Sequence, residues 1–426
     1  AFDGSWRDFT TTDHQEGWIG KEIAFGPNET REVDIMIVGS WDDLPGQTGV
    51  HDFWGRPLVN WFYAANLATV QAATEQYWSD WLAQGVRVDL PGTAYDDLFT
   101  RSKLVTALHI DAATGAIIAG MHNGAYPFCW PRDGVYAAIT LDRIGYPAEA
   151  QNFYRWLRDI AYRAPDCNPG GKSFFFQKYT TDGYFAWNSP QIDETASVPW
   201  GIWYHYLSTG DLGFLTNFAG LVRETAYASF YDSCADGRAN YNDTFKLMDG
   251  NNIWEDSFGL FLYSNASVVR GLRDAVHIAN KVPGLFSPGD TPLWSLVADE
   301  TRDIGIVGRI NARVEPADIS HLGLSYPLEV FAPTNNVMLA IVEWIHGNGA
   351  PAGGFNDNLV ETGGGNGGYL RRYNHNVNGA IDNYWNGGPW HLSTSWYGMY
   401  HAQWQNYAPG KTLVDVNLDM LDKVIA

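Results

Sequence analysis

In the first 45 residues the apolar positions follow a two-residue period. Glu32-Val33-Asp34-Ile35-Met36-Ile37-Val38-Gly39 alternates in part, is β-branched and is bounded by turn residues, which predicts strands. Two or three strands cannot close a sandwich alone, so they are expected to pair with something else. From 58 to 84 the spacing of Leu, Phe, Ala, Val, Tyr and Trp becomes helical and predicts a long helix leading into the main domain. From residue 94 onward, helical patterns recur between long Gly- and Pro-rich loops. They predict helices over 95–108, 133–145, 147–163, 193–208, 211–233, 257–280, 292–305, 335–347, 388–405 and 412–425. Pro147 and Pro292 fall near helix starts, where a missing N–H is harmless. No intervening segment reads as a strand strong enough for βαβ units. The expected organisation is strands over 1–45, a linker helix region over 46–93 and a mainly α domain over 94–426. Long loops on alternate connections suggest a barrel of nested helical hairpins, with chemistry on the loops gathered at one end.

Composition narrows the partners. The chain has 426 residues, 45% hydrophobic and 18% charged, a balance that excludes a largely disordered polypeptide. No run approaches the roughly 18 apolar residues of a membrane span. The net charge of −21 repels phosphate backbones, which argues against nucleic acid and anionic membrane and leaves neutral substrates such as sugars. Cys129, Cys167 and Cys234 are too few for a disulfide framework and match no zinc spacing. No metal-ligand cluster is evident, and neither metal nor organic cofactor is expected for sugar chemistry of this kind. The start at Ala1, without Met, suggests a processed N-terminus. With possible sequons at Asn28, Asn242 and Asn265, it predicts an extracellular or periplasmic protein.

Aromatic residues make up 15% of the chain, and many flank Gly, Asn and Pro in loops. Aromatic faces packed on the C–H faces of a sugar ring, beside hydrogen-bonding side chains, make a carbohydrate site. Large rings filling a core are the plainer reading. Four segments join Trp to charged groups near predicted helix starts. In Trp130-Pro131-Arg132-Asp133, Asp133 can cap the helix, or the Arg–Asp pair can bracket sugar hydroxyls against a Trp130 wall. In Trp187-Asn188-Ser189-Pro190-Gln191-Ile192-Asp193-Glu194, the acids again serve as caps or ligands. Trp254-Glu255-Asp256 is expected just before a helix beginning near Ser257. There a helix N-terminus would lower a carboxyl pKa, and only apolar packing by Trp254 with a like charge from Asp256 would raise it. The fourth joins Arg371-Arg372-Tyr373 to Asp382-Asn383-Tyr384-Trp385-Asn386-Gly387-Gly388-Pro389-Trp390, either a sugar-binding loop or a solvated one.

In this order and spacing the four segments resemble glycoside hydrolase family 15, the glucoamylase and glucodextranase family. The resemblance spans about residues 94–426, and residues 1–90 resemble the end of the β-sandwich and the linker helix of its bacterial members. It implies an (α/α)6 barrel, of which about ten of twelve helices are expected in this chain. It implies Glu255 as general acid and Arg132, Asp133 and Arg372 as ligands of a terminal glucose. Trp187, ahead of Pro190, Gln191 and Asp193, would pack over the acid. Trp130, Trp254 and Trp390 would wall the pocket, with Asp193, Asp256, Tyr373, Asp382 and Tyr384 also facing substrate. Asp256 stands where the family's motif has a second Glu. The implied activity is exo-acting, inverting hydrolysis of α-linked glucose oligo- or polysaccharides. A non-catalytic carbohydrate-binding subunit and a glucosyl transferase of the dextran-building kind are the alternatives.

An inverting enzyme needs a second carboxylate as base. In the family this Glu follows the last segment by many tens of residues, and nothing after Leu413 matches it. Asp415, Asp419 and Asp422 fall on an amphipathic pattern. The expectation is a processed chain, with further polypeptides of the same precursor completing the barrel and supplying the base. A diverged base such as Glu361 or Asp382 is the other possibility.

Overall fold

The structure, a computed structural model, describes residues 24–30, 60–62, 64–92, 94–121, 126–163, 173–230, 241–314, 318–345, 391–405 and 415. The chain divides into two compact units, Ala1–Asp80 and Trp81–Ala426. In the first unit, residues 24–30 form a turn closed by Glu29, whose backbone N–H reaches Gly26 O at 3.1 Å. The other residues of the predicted strand region lie outside the described set. The predicted helix over 58–84 is broken at Asn66, whose side-chain oxygen accepts from Thr69 N at 3.2 Å and caps helix α1, Leu67–Gln84.

The second unit is built from consecutive helical hairpins. After α2 (Tyr95–Leu108) come α3 (Pro131–Arg143) with α4 (Pro147–Ile160), α5 (Ile192–Thr209) with α6 (Leu212–Ala228), and α7 (Leu262–Lys281) with α8 (Asp290–Glu300). The α8 path continues through a π-helical stretch, Thr301–Ile306, into α9, Val307–Ala312. A 3-10 helix, Ile319–Leu324, then precedes α10 (Asn336–Ile345) and α11 (His391–Gln403). Pro131 and Pro147 occupy first turns, where their fixed φ suits the helix. Asp211 caps α6 through Phe214 N at 3.0 Å, and Gly210, at φ +71°, closes α5 in the left-handed region that favours glycine.

Burial separates inner from outer helices. In α5 every residue from Ile192 to Gly201 is buried, so the helix is enclosed on all sides, and it packs against both α3 and α7. By contrast α4 buries one stripe, Ala150, Phe153, Tyr154, Trp156 and Leu157, against α3. Each large side chain of that stripe contributes about 2–3 kcal/mol of burial. The α5–α7 approach is close enough that a Cβ on Gly271 would lie 2.1 Å from the Ala196 carbonyl oxygen. Contacts at the first turns place the starts of α3, α5 and α7 at one end. Arg132 meets Asp193, and the hydroxyls of Tyr136 and Tyr263 are 2.8 Å apart.

The helix pattern is thus close to that expected, and the connections are not. Two predicted loops are two-stranded antiparallel ribbons: β3 (Phe176–Tyr179) with β4 (Phe185–Pro190), and β7 (Gly250–Asn251) with β8 (Phe258–Gly259). Two shorter ribbons pair β1 (Tyr162–Arg163) with β2 (Ser173–Phe174) and β5 (Tyr241–Asn242) with β6 (Leu247–Met248). Helix α7 therefore starts at Leu262 rather than near 257, because residues 252–257 make a hairpin turn. Helix α3 starts at Pro131 rather than 133. Apart from residue 415, the predicted helix over 412–425 lies outside the described residues.

Candidate active site

The first turns of α3 and α5 build a buried charge cluster. Trp130 holds the extended N-cap position of α3, so Asp133 is a first-turn residue and not the cap. The next backbone N–H, of Arg132, is one of the donors a helix start leaves unsatisfied, and it donates to Glu194 Oε2. The Arg132 guanidinium meets Asp193 Oδ2 at 2.7 Å and Glu194 Oε1 at 3.2 Å through Nη1, and Asp133 Oδ2 at 3.4 Å through Nε. Asp193 and Glu194 are wholly buried, whereas 45% of the Asp133 side chain is open. The α5 acids hold Arg132 in place rather than capping their own helix. Asp193, expected to face substrate, is fully buried on Arg132.

Glu255 reaches the same guanidinium at its other terminal nitrogen. Its Oε1 lies 3.7 Å from Arg132 Nη2 and accepts from Trp130 Nε1 at 2.6 Å. The residue sits in the β7–β8 turn with φ +66°, a left-handed backbone that Asn252 braces. Asn252 O accepts from Glu255 N at 3.0 Å, Asn252 Nδ2 donates to Asp256 Oδ1 at 2.7 Å, and Asn252 Oδ1 accepts from Asp256 N at 3.1 Å. Buried Gln191, which precedes α5, donates to the Asn252 carbonyl at 3.0 Å. One turn of chain and one amide thus tie the hairpin to the helix that carries Asp193 and Glu194.

Charge balance in this cluster favours protons. One guanidinium faces four carboxyl groups. Burial pushes the Glu194 carboxyl far above its usual range, against the pull of Arg132 and with like charge from Asp193 and Asp133. Burial also raises Glu255, partly opposed by Arg132 and by hydrogen bonds from Trp130 and Gln177, and reinforced by Asp133. Against the cost of its own burial, the surrounding carboxylates hold Arg132 firmly charged. The Glu255 side chain keeps 23% of its surface open, whereas Glu194 has none. Burial raises Asp133 as well, against the pull of Arg132, and its side chain is the more open, so Glu255 and Asp133 can pass a proton outward and Glu194 cannot.

The tryptophans are distributed differently from expectation. The indole on the acid is that of Trp130. The Trp254 N–H donates to Asp318 Oδ2 at 2.8 Å and Oδ1 at 3.1 Å. Asp256 is exposed, and the like charge that raises Glu255 is that of Asp133. Trp187, expected over the acid, is placed by its contact with Lys178. It is 53% exposed and lies against Lys178, whose ammonium is 5.1 Å from its ring. Arg372, Tyr373, Asp382, Tyr384, Trp390 and the alternative base Glu361 lie outside the described residues.

Sequence reasoning missed Glu194 as an Arg132 partner, Gln177 and Asp318 as supports, and Lys178 altogether. A signal for Lys178 was present. Asp182-Gly183, flanked by Lys178-Tyr179 and Tyr184-Phe185, is a strong hairpin cue. The segment forms a tight turn, with Thr180 and Tyr184 bonded across it at 2.8 Å and Gly183 at φ +92°.

Comparison with known proteins fits this geometry. Residues 94–303 match the model of glycosyl hydrolases family 15. An uncharacterized glycosyl hydrolase of Methanocaldococcus jannaschii is 27% identical over 321 residues, covering 71% of this chain and 45% of that protein. The chain therefore spans less than half the length of this curated relative. Among solved structures, a wild-type glycosidase superposes with TM-score 0.56 at 19% identity, covering 75% of this chain and 81% of its own. A bacterial glucoamylase complexed with acarbose gives TM-score 0.58 at 16% identity, covering 82% and 53%. At these identities the likeness establishes the fold, a mainly helical (α/α)6 barrel type.

Proposed function

The chain belongs to glycosyl hydrolases family 15, and we propose that it is an exo-acting α-glucoside hydrolase releasing glucose from non-reducing ends with inversion. The observation that carries this reading is the Glu255 carboxyl, raised by burial, half shielded and held against Trp130 and Arg132. A general acid must be protonated at working pH and must reach the glycosidic oxygen. With Oε1 occupied as an acceptor, the transferable proton belongs on Oε2. Protonation of the leaving oxygen leaves an oxocarbenium-like ring, and Arg132 and Asp133 grip the hydroxyls of that terminal glucose. Support for glucose comes from the names of the structural neighbours, a glucoamylase bound to acarbose and a glycosidase in complex with glucose.

Inversion also requires a carboxylate base about 6.5–9.5 Å from the acid, with a water between. We assign it to a residue outside the described set, Glu361 or Asp382, or to a further polypeptide of the same precursor that completes the barrel. Intact-mass analysis of the native protein separates these. We also place the enzyme outside the cytoplasm, a reading supported by its acidic composition.

The decisive experiment is Glu255→Gln. Turnover of an α-glucoside should fall by about 10²–10⁴-fold with binding retained, and proton NMR of the first product should show β-glucose. Near-normal turnover by the variant removes Glu255 from the role, and α-glucose as first product removes inversion.

A further inference from the structure

We infer that Lys178 selects the leaving group, donating hydrogen bonds to the sugar that follows the terminal glucose; the inference rests on the hydrolase reading above. The Lys178 ammonium is boxed by three rings, with centroids of Phe128 at 4.9 Å, Trp130 at 5.1 Å and Trp187 at 5.1 Å. Each distance is within the range at which a cation is attracted to an aromatic face. Among the described residues the ammonium meets no carboxylate and no hydrogen-bond acceptor, although the chain carries 48 acidic residues. Rings satisfy its charge but give its three N–H groups no lone pairs. Hydroxyl oxygens of a bound sugar would supply them.

The position fits the leaving group rather than the terminal glucose. Trp130 is shared by both sides of the site: its indole N–H holds Glu255 Oε1 at 2.6 Å, and its ring faces Lys178. Arg132 approaches the acid itself at 3.7 Å and pairs with Asp133 at 3.4 Å. A glycosidic oxygen meeting the Glu255 proton has glucose on one side and the departing sugar on the other. The guanidinium occupies the first, and the boxed ammonium the second. Directly across the ribbon from Lys178, Trp187 offers a half-exposed ring for the C–H face of that departing sugar. Register fixes the pair, since Lys178 and Trp187 are cross-strand partners in β3 and β4.

The test compares parent, Lys178→Met and Lys178→Arg on maltose and on α-glucosyl fluoride, whose leaving group has no hydroxyls. In Lys178→Met the ratio of kcat/KM for maltose to that for the fluoride should fall about tenfold or more, with Lys178→Arg recovering part of it. The alkaline limb of the pH–rate profile should not move. Equal losses on both substrates, or no loss on maltose, overturn the inference. Calorimetric titration with maltose and with glucose adds a readout independent of turnover, in which only maltose affinity should weaken in Lys178→Met. A parent protein that cleaves neither substrate refutes the hydrolase reading. Unchanged maltose affinity in the variant refutes the role of Lys178 separately.

Discussion

Glu194 and Glu255 approach the same arginine, yet one comes from a helix start and the other from a hairpin turn. The helix-borne acid is wholly enclosed, and Arg132 meets it through both backbone and side chain. The hairpin-borne acid is held by Trp130 and Gln177, keeps part of its surface open and rests on a left-handed backbone. Packing on α5 fixes the first on all sides. A turn braced by Asn252 presents the second. The difference teaches how one cluster both holds a cation and offers a proton: burial raises both carboxyl groups, and exposure decides which is chemically available.

That contrast can be broken most severely at the helix-borne side. Asp193→Ala removes the 2.7 Å partner of a buried guanidinium, and chemical denaturation should show a loss of about 3–5 kcal/mol. If stability were unchanged, the cluster would not be the anchor the geometry makes it. On the hairpin side the supports are single hydrogen bonds. Trp254→Phe deletes the donor to Asp318, and the same measurement should show about 1–2 kcal/mol. The smallest effect concerns titration. Trp130 N–H favours the ionised form of Glu255, so Trp130→Phe should raise the acid's pKa and shift the alkaline limb of kcat/KM to higher pH by less than about one unit. In the parent that limb should already lie above the ordinary carboxyl value, because a raised pKa keeps the acid protonated as pH rises. A downward shift in the variant would show that the indole ring, not its N–H, governs the acid.

The same contrast explains what the sequence disclosed. Helices declare themselves by apolar spacing, and Tyr95–Leu108 emerges with its predicted bounds. The pairing of Arg132 with acids was legible because each segment carries an unusual run of Trp with charged groups. Their directions were not. Asp193 and Glu194 look like ordinary first-turn acids, and only the proximity of α3 redirects them to Arg132. Trp254-Glu255-Asp256 looked like a helix start because two acids precede a long apolar pattern. The two-residue strands that displace it, Gly250–Asn251 and Phe258–Gly259, are too short to leave a period. Lys178 escaped notice because cation–ring contacts join residues 128, 130, 178 and 187, which no local pattern relates.

The amide between Gln191 and Asn252 has a mechanical consequence. Gln191 ends the connection into α5, two residues before the acids that clamp Arg132, and its side chain grasps the carbonyl that steadies the Glu255 turn. In the proposed reaction, gripper and proton source therefore share one mount, like the fixed jaws of a jig. A shift of that mount carries both together and preserves their gap, so the bond to be cut stays in line with the acid. Adaptation to a different departing sugar is then left to the outer face of the β3–β4 ribbon, where Trp187 is exposed, because Gln177 of the same ribbon is bonded to the acid.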